Sequence, residues 1–135
     1  MDQRKIKKFW DDRAKTYNSV SFESIANLEE DPENLQLKID LETEKVFRWL
    51  EGFKGHKILD LGAGVGQWAF RFIDGGAKSV TAVEYSAQLA DIGTAEAEKR
   101  GVKNLDFLVS PAEDFIAVEK FDIVFISGLF LYLND

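Results

Sequence analysis

Apolar positions recur along the first fifty residues at helical spacing. Ile6, Phe9, Trp10, Ala14 and Tyr17 stand three or four residues apart, which predicts a short helix over residues 4–17. Residues 18–31 are polar and broken, as expected of a loop or lid. Asp31-Pro32 reads as a helix start: an Asp side chain accepts from free amide groups, and Pro suits the first helical position. The helix it opens carries Leu35, Ile39, Val46 and Leu50 near one face and is expected to end at Gly52 or Gly55. Phe9 and Trp10 read as packing residues, and Trp49 and Trp68 as core or partly buried. His56 reads as an exposed turn residue.

The pattern then changes to short apolar runs separated by amphipathic ones. Lys57–Leu61 is a strand, Gly62–Gly66 a glycine loop, and Gln67–Asp74 a helix stopped by Gly75-Gly76. Ser79–Glu84 is a second strand. Ser86–Arg100 is a helix with Ser86 as cap and Gly101 as terminator. Leu105–Val109 is a third strand and Phe121–Ser127 a fourth, apolar enough for burial on both faces. Strands separated by helices imply βαβ units, hence a parallel α/β sheet with right-handed crossovers. The organisation expected is N-terminal helices and a lid over 1–55 and an α/β core over 56–135.

Composition narrows the chemistry. The 135 residues contain no Cys and a single His, which excludes disulfides, thiolate chemistry and a multi-histidine metal centre. The net charge is −7 but uneven. Residues 1–15 carry six bases (Arg4, Lys5, Lys7, Lys8, Arg13, Lys15) against three acids (Asp2, Asp11, Asp12), net +3, which leaves −10 for the rest. That balance argues against a nucleic-acid backbone binder. No run approaches the roughly 18 apolar residues of a membrane span, and the basic N-terminus leads into Phe9-Trp10 and charge rather than a signal-peptide core. A cytoplasmic location is expected.

The informative segment is Ile58-Leu59-Asp60-Leu61-Gly62-Ala63-Gly64-Val65-Gly66. Glycines between a strand and a helix permit a tight turn and let a ligand approach the backbone. The spacing is G-x-G-x-G, not the G-x-G-x-x-G of nicotinamide and flavin folds. Asp60 stands two residues before the first glycine, where a diphosphate would meet an unwelcome carboxylate and an ammonium a welcome one. Glu84, 22 residues after Gly62, ends the second strand, where a carboxylate can accept from both hydroxyls of a ribose. The pair suits a nucleoside with a zwitterionic amino-acid tail better than one with a phosphate chain.

This segment resembles motif I of the class I S-adenosylmethionine-dependent methyltransferases, whose fold is a Rossmann-like parallel sheet. Further motifs follow in order. Phe9-Trp10-Asp11-x-x-Ala14-x-x-Tyr17 is similar to the N-terminal signature of small-molecule members. Val83-Glu84-Tyr85-Ser86 is similar to the segment after strand two, and Ala112-Glu113-Asp114 to the "DAED" segment after strand three. Phe121 to Ile126, Ser127-Gly128-Leu129, Tyr132 and Asp135 are similar to strand four and the turn after it. The resemblance implies S-adenosyl-L-methionine as cofactor. It places Gly62, Gly64 and Gly66 under the methionine part, Asp60 at the amino group, Glu84 at the ribose and Tyr85 beside the adenine. Ala112, Glu113 and Asp114 would frame the adenine edge, Ser127 and Gly128 would lie near the transferring methyl, and Tyr17 and Arg13 would close over the cofactor. Pro111 replaces an acid common in the "DAED" segment. Tyr132 replaces a frequent His, a poorer base at neutral pH, and is the only candidate for a catalytic group.

Methyl transfer from a sulfonium is an in-line displacement on an activated electrophile, so alignment and exclusion of water matter more than a particular base. The resemblance therefore implies the donor and leaves the acceptor open, with a small molecule or glycan-type hydroxyl favoured. The family's sheet has seven strands in the order 3-2-1-4-5-7-6. Four are expected here, in the order 3-2-1-4. If the chain ends at Asp135, the apolar fourth strand becomes an edge that invites self-association. A binding module without turnover is the alternative function. A nicotinamide enzyme is disfavoured by Asp60 and the glycine spacing.

Overall fold

A computed structural model describes residues 3–15 and 31–127. Helix α1 spans Gln3–Lys15 and helix α2 Pro32–Leu50. Strand β1 (Lys57–Leu61), helix α3 (Gln67–Asp74), strand β2 (Ser79–Glu84), helix α4 (Ala87–Arg100), strand β3 (Leu105–Val109) and strand β4 (Ile123–Ile126) follow. The four strands form one parallel sheet in the order β3-β2-β1-β4. This is the Rossmann-like α/β architecture and strand order that the sequence implies. The proposed lid over 18–31 lies outside the described residues except for Asp31.

Local chemistry explains the boundaries. Asp31 accepts from the Glu33 amide (3.0 Å), with Pro32 next in the chain. Helix α2 stops at Leu50, because Glu51 (φ 32°) already turns left-handed before Gly52 is reached. Ser86 caps α4 through Leu89, and Gly101 closes it in the left-handed conformation (φ 70°). Strand β4 begins at Ile123 rather than Phe121, since Asp122 is a junction: its amide donates to Lys57 O (2.8 Å) and its carboxylate accepts from Lys57 N (2.8 Å).

The core lies between the sheet and the helices on its faces. Ile58, Val80, Ala82 and Leu105 of the strands meet Ala69, Phe70 and Phe72 of α3 and Ala97 of α4. An aromatic cluster of Phe47, Phe53, Trp68, Phe72 and Phe125 joins α2, α3 and β4, with neighbouring ring centroids 4.6–6.1 Å apart. Leu35 and Ile39 of α2 are buried as expected. Trp49 is not: it is 70% exposed, with Lys45 over its ring. Phe9 is also exposed, and His56 is half-buried rather than exposed. Leu37 and Leu41 are exposed on the far side of α2, and Trp49 lies at the margin of the side that carries Leu35 and Ile39. Strand β4 is an edge among the described residues, and Val124 on it is 55% exposed rather than buried.

Candidate functional site

The connection β1–α3–β2–α4–β3 runs one way along the sheet, while β4 pairs on the other side of β1. The reversal between β1 and β4 opens a crevice at the carboxyl ends of the strands, the usual place for a ligand in such sheets. The glycine loop lies there. The Gly62 and Ala63 amides both donate to Val83 O (2.8 and 3.0 Å), folding the chain back over the end of β2. Gly62, Gly64 and Gly66 have φ of 73°, 62° and 95°, which side-chain-bearing residues rarely adopt. Gly66 has a second reason to be glycine: an added Cβ would lie 2.6 Å from Phe107 Cζ.

Asp60 and Glu84 face this loop from adjacent strands. Glu84 is held by backbone: its Oε1 accepts from Gly64 N (2.9 Å) and its Oε2 from Ser86 N (2.7 Å). Each oxygen keeps a further lone pair, so the carboxylate is oriented and still able to accept from hydroxyls. Asp60 is 2% exposed, and its Oδ2 has no hydrogen-bond partner among the described residues. Burial raises its pKa to about 8, and the negative Glu84 adds to the rise. Burial also raises the Glu84 pKa, opposed by the amides of Ser86, Gly64 and Tyr85 and reinforced by Asp11. Acids this poorly solvated fit a cationic group and repel a phosphate.

The remaining candidates are brought to this end of the sheet to different degrees. Tyr85 follows Glu84, with the Lys7 ammonium of α1 5.8 Å from its ring centroid. The Ser110 amide donates to Glu84 O (3.0 Å), which sets Ala112, Glu113 and Asp114 beside the end of β2. Those three form a single 3-10 turn that the apolar pattern did not announce, with Glu113 and Asp114 exposed. Ser127 follows the last pair of the β1–β4 ladder, Leu61 with Ile126, and is exposed at the crevice. Arg13 lies on α1, where only its backbone is described. Tyr17, Gly128 and Tyr132 lie outside the described residues.

Sequence reasoning missed the second role of Asp11 and Ser86. The Ser86 hydroxyl donates to Asp11 Oδ1, and Asp11 Oδ2 pairs with Lys7 (2.8 Å). The signal available was Lys7 and Asp11 at i,i+4 on a helix that the motif resemblance already placed near the ligand.

Residues 58–135 match the methyltransferase domain family. The chain belongs to that family, in its class I, S-adenosylmethionine-dependent form, and the sheet order and glycine loop agree with it. The [4+2]-cyclase SpnF is 23% identical with TM-score 0.74, over 92% of this chain and 48% of that one. Phosphoethanolamine N-methyltransferase 1 of Haemonchus contortus, with phosphoethanolamine and S-adenosylhomocysteine, is 16% identical with TM-score 0.72, over 99% and 28%. A methyltransferase of Thiobacillus denitrificans, with S-adenosylhomocysteine, is 20% identical with TM-score 0.62, over 83% and 44%. The chain thus spans less than half the length of each of these. No curated protein matches it by sequence. The family's cofactor is S-adenosylmethionine, and the residues present fit it: among the described residues Asp60 Oδ2 is a buried carboxylate oxygen with no partner, a group that suits an ammonium. No helix among the described residues is long and apolar enough to cross a membrane.

Proposed function

We propose that this chain binds S-adenosylmethionine in the crevice and forms the cofactor side of a methyl transfer to a small-molecule or glycan-type acceptor in the cytoplasm. One observation carries the reading. Asp60 Oδ2 is buried beside Glu84 at a glycine loop and has no partner among the described residues, an arrangement that a cationic amino-acid tail completes. Asp60 would hold the ammonium, and Gly62 and Gly64 let the tail lie against the backbone. Glu84, fixed by two amides, accepts from the ribose hydroxyls. Tyr85 and the Ala112–Asp114 turn flank the base, and Ser127 stands at the open end of the crevice. When bound, the cofactor supplies an already activated methyl group. The residues here position it and keep water from it, which requires no dedicated acid or base.

The negative charge of the site and of the chain supports an acceptor other than nucleic acid. Calorimetry with S-adenosylmethionine and S-adenosylhomocysteine tests the cofactor reading. Micromolar binding is expected, weakened at least about tenfold by Glu84→Ala, which removes a charge-assisted acceptor. Unchanged affinity in Glu84→Ala would sink the assignment. A second reading, cofactor binding without methyl transfer, is favoured by the fold likeness to a protein named as a cyclase. A panel of hydroxyl and amine acceptors with labelled cofactor separates the two, because only the first reading expects product.

A further inference from the structure

Ser86 is 1% exposed and stands at a junction of three hydrogen bonds. Its amide donates to Glu84 Oε2, its hydroxyl donates to Asp11 Oδ1 of α1, and its hydroxyl oxygen accepts from Leu89 N (3.3 Å) to cap α4. Asp11 is bridged to Lys7 one turn earlier, and Lys7 leans over the Tyr85 ring. Helix α1 is thereby tied across residues 84–86, the segment that ends β2 and supplies Glu84 to the site.

The tie has an electrostatic cost. From α1, Asp11 and Lys7 face the end of β2. From the end of β2 and the residue after it, Glu84 and Tyr85 face them, and Asp60 of β1 interacts with Glu84. Docking α1 brings the Asp11 charge toward Glu84, which is already poorly solvated, and Asp11 adds to its upward shift while the Lys7 charge opposes it. A ligand that carries net positive charge into the crevice relieves this repulsion. Ligand binding and α1 docking then favour each other, by the reciprocity that any such coupling obeys.

Resting on the cofactor reading above, we propose that Asp11 is a positioning residue, latching α1 through Ser86 over the nucleoside end of the site and making that docking respond to the charge of the ligand. The consequence separates two ligands of nearly the same shape. S-adenosylmethionine carries a net positive charge and S-adenosylhomocysteine carries none, so the first holds α1 docked more firmly.

The test is tryptic cleavage within α1, where Arg4, Lys5 and Lys8 are exposed, since cutting a helix requires it to open locally. Each ligand is used at a saturation fixed by calorimetry. In the wild type, cleavage should slow about tenfold with S-adenosylmethionine and clearly less with S-adenosylhomocysteine. Asp11→Asn keeps an acceptor for the Ser86 hydroxyl but removes the charge, so both ligands should protect equally. Asp11→Ala removes the latch, and neither ligand should protect. Equal cleavage with and without saturating S-adenosylmethionine in the wild type overturns the proposal and leaves the binding site standing. So does an Asp11→Ala protein that melts lower yet keeps the wild-type difference between ligands, since that is a purely structural role. A wild type that binds neither ligand overturns the cofactor reading, and the latch with it.

Discussion

Asp60 is the residue at which folding and binding pull in opposite directions. An Asp in an unfolded chain titrates near 3.9, whereas here burial lifts the carboxyl to about 8. Between those values the folded protein keeps a proton that the unfolded chain releases. Stability of the ligand-free protein therefore falls as pH rises from about 4 to about 8. Asp60→Asn should flatten that slope and stabilise the ligand-free protein by about 2 kcal/mol at pH 8, read by urea denaturation at pH 5 and pH 8. The same substitution should weaken S-adenosylmethionine binding, because the ammonium loses its partner. A bound cation favours ionised Asp60, so binding expels the proton and affinity should rise with pH toward about 8. Calorimetry at pH 7 in buffers of different ionisation enthalpy should show proton release in the wild type and less in Asp60→Asn.

At the scale of elements, α4 is shaped to fit the glycine loop as well as to cover the sheet. Gly93, buried in its middle, lies under Phe107 and against the Val65 carbonyl; an added Cβ would meet them at 2.3 and 2.6 Å. The carbonyl is backbone and cannot rotate away. Gly93→Ala should therefore cost about 1–3 kcal/mol by denaturant unfolding. It should also weaken ligand binding, since the loop that moves is the one carrying Gly64 and Gly66. The sequence predicted a helix from Asp31-Pro32 to Gly52 or Gly55, which ends instead at Leu50, and it marked Leu35 and Ile39 correctly. It could not tell how far burial extends around that helix. Trp49, at the margin of the core-facing side, is exposed, while Phe47 of the same helix meets the aromatic cluster around Phe72.

Over the whole molecule, the sheet is asymmetric. Its switch point between β1 and β4 creates the crevice, and the same arrangement leaves β4 as an edge among the described residues. Val124 is exposed on that strand while Phe125 beside it packs on Trp68 and Phe72. Apolar strand edges recruit further strands. The isolated 135-residue polypeptide is expected to self-associate with rising concentration in sedimentation, and Val124→Lys is expected to shift it toward monomer. A wild-type chain that stays monomeric throughout counts against this.

The sequence by itself determined the order of elements, the turn chemistry and the identity of the glycine loop. Each of these rests on residues adjacent in the chain: Asp31 before Pro32, Ser86 before α4, and Asp60 two residues before Gly62. Asp60 and Glu84 were legible as a pair because strand ends in a βαβ unit lie side by side whatever the helix between them. Tertiary structure alone decided what those acids experience. Their depth of burial, the amides of Gly64 and Ser86 on Glu84, and the Asp60 oxygen left without a partner among the described residues depend on the tertiary fold. The Asp11–Ser86 bond joins residues 75 apart. No local pattern encodes such a pair, because its geometry exists only after α1 has docked on the end of β2.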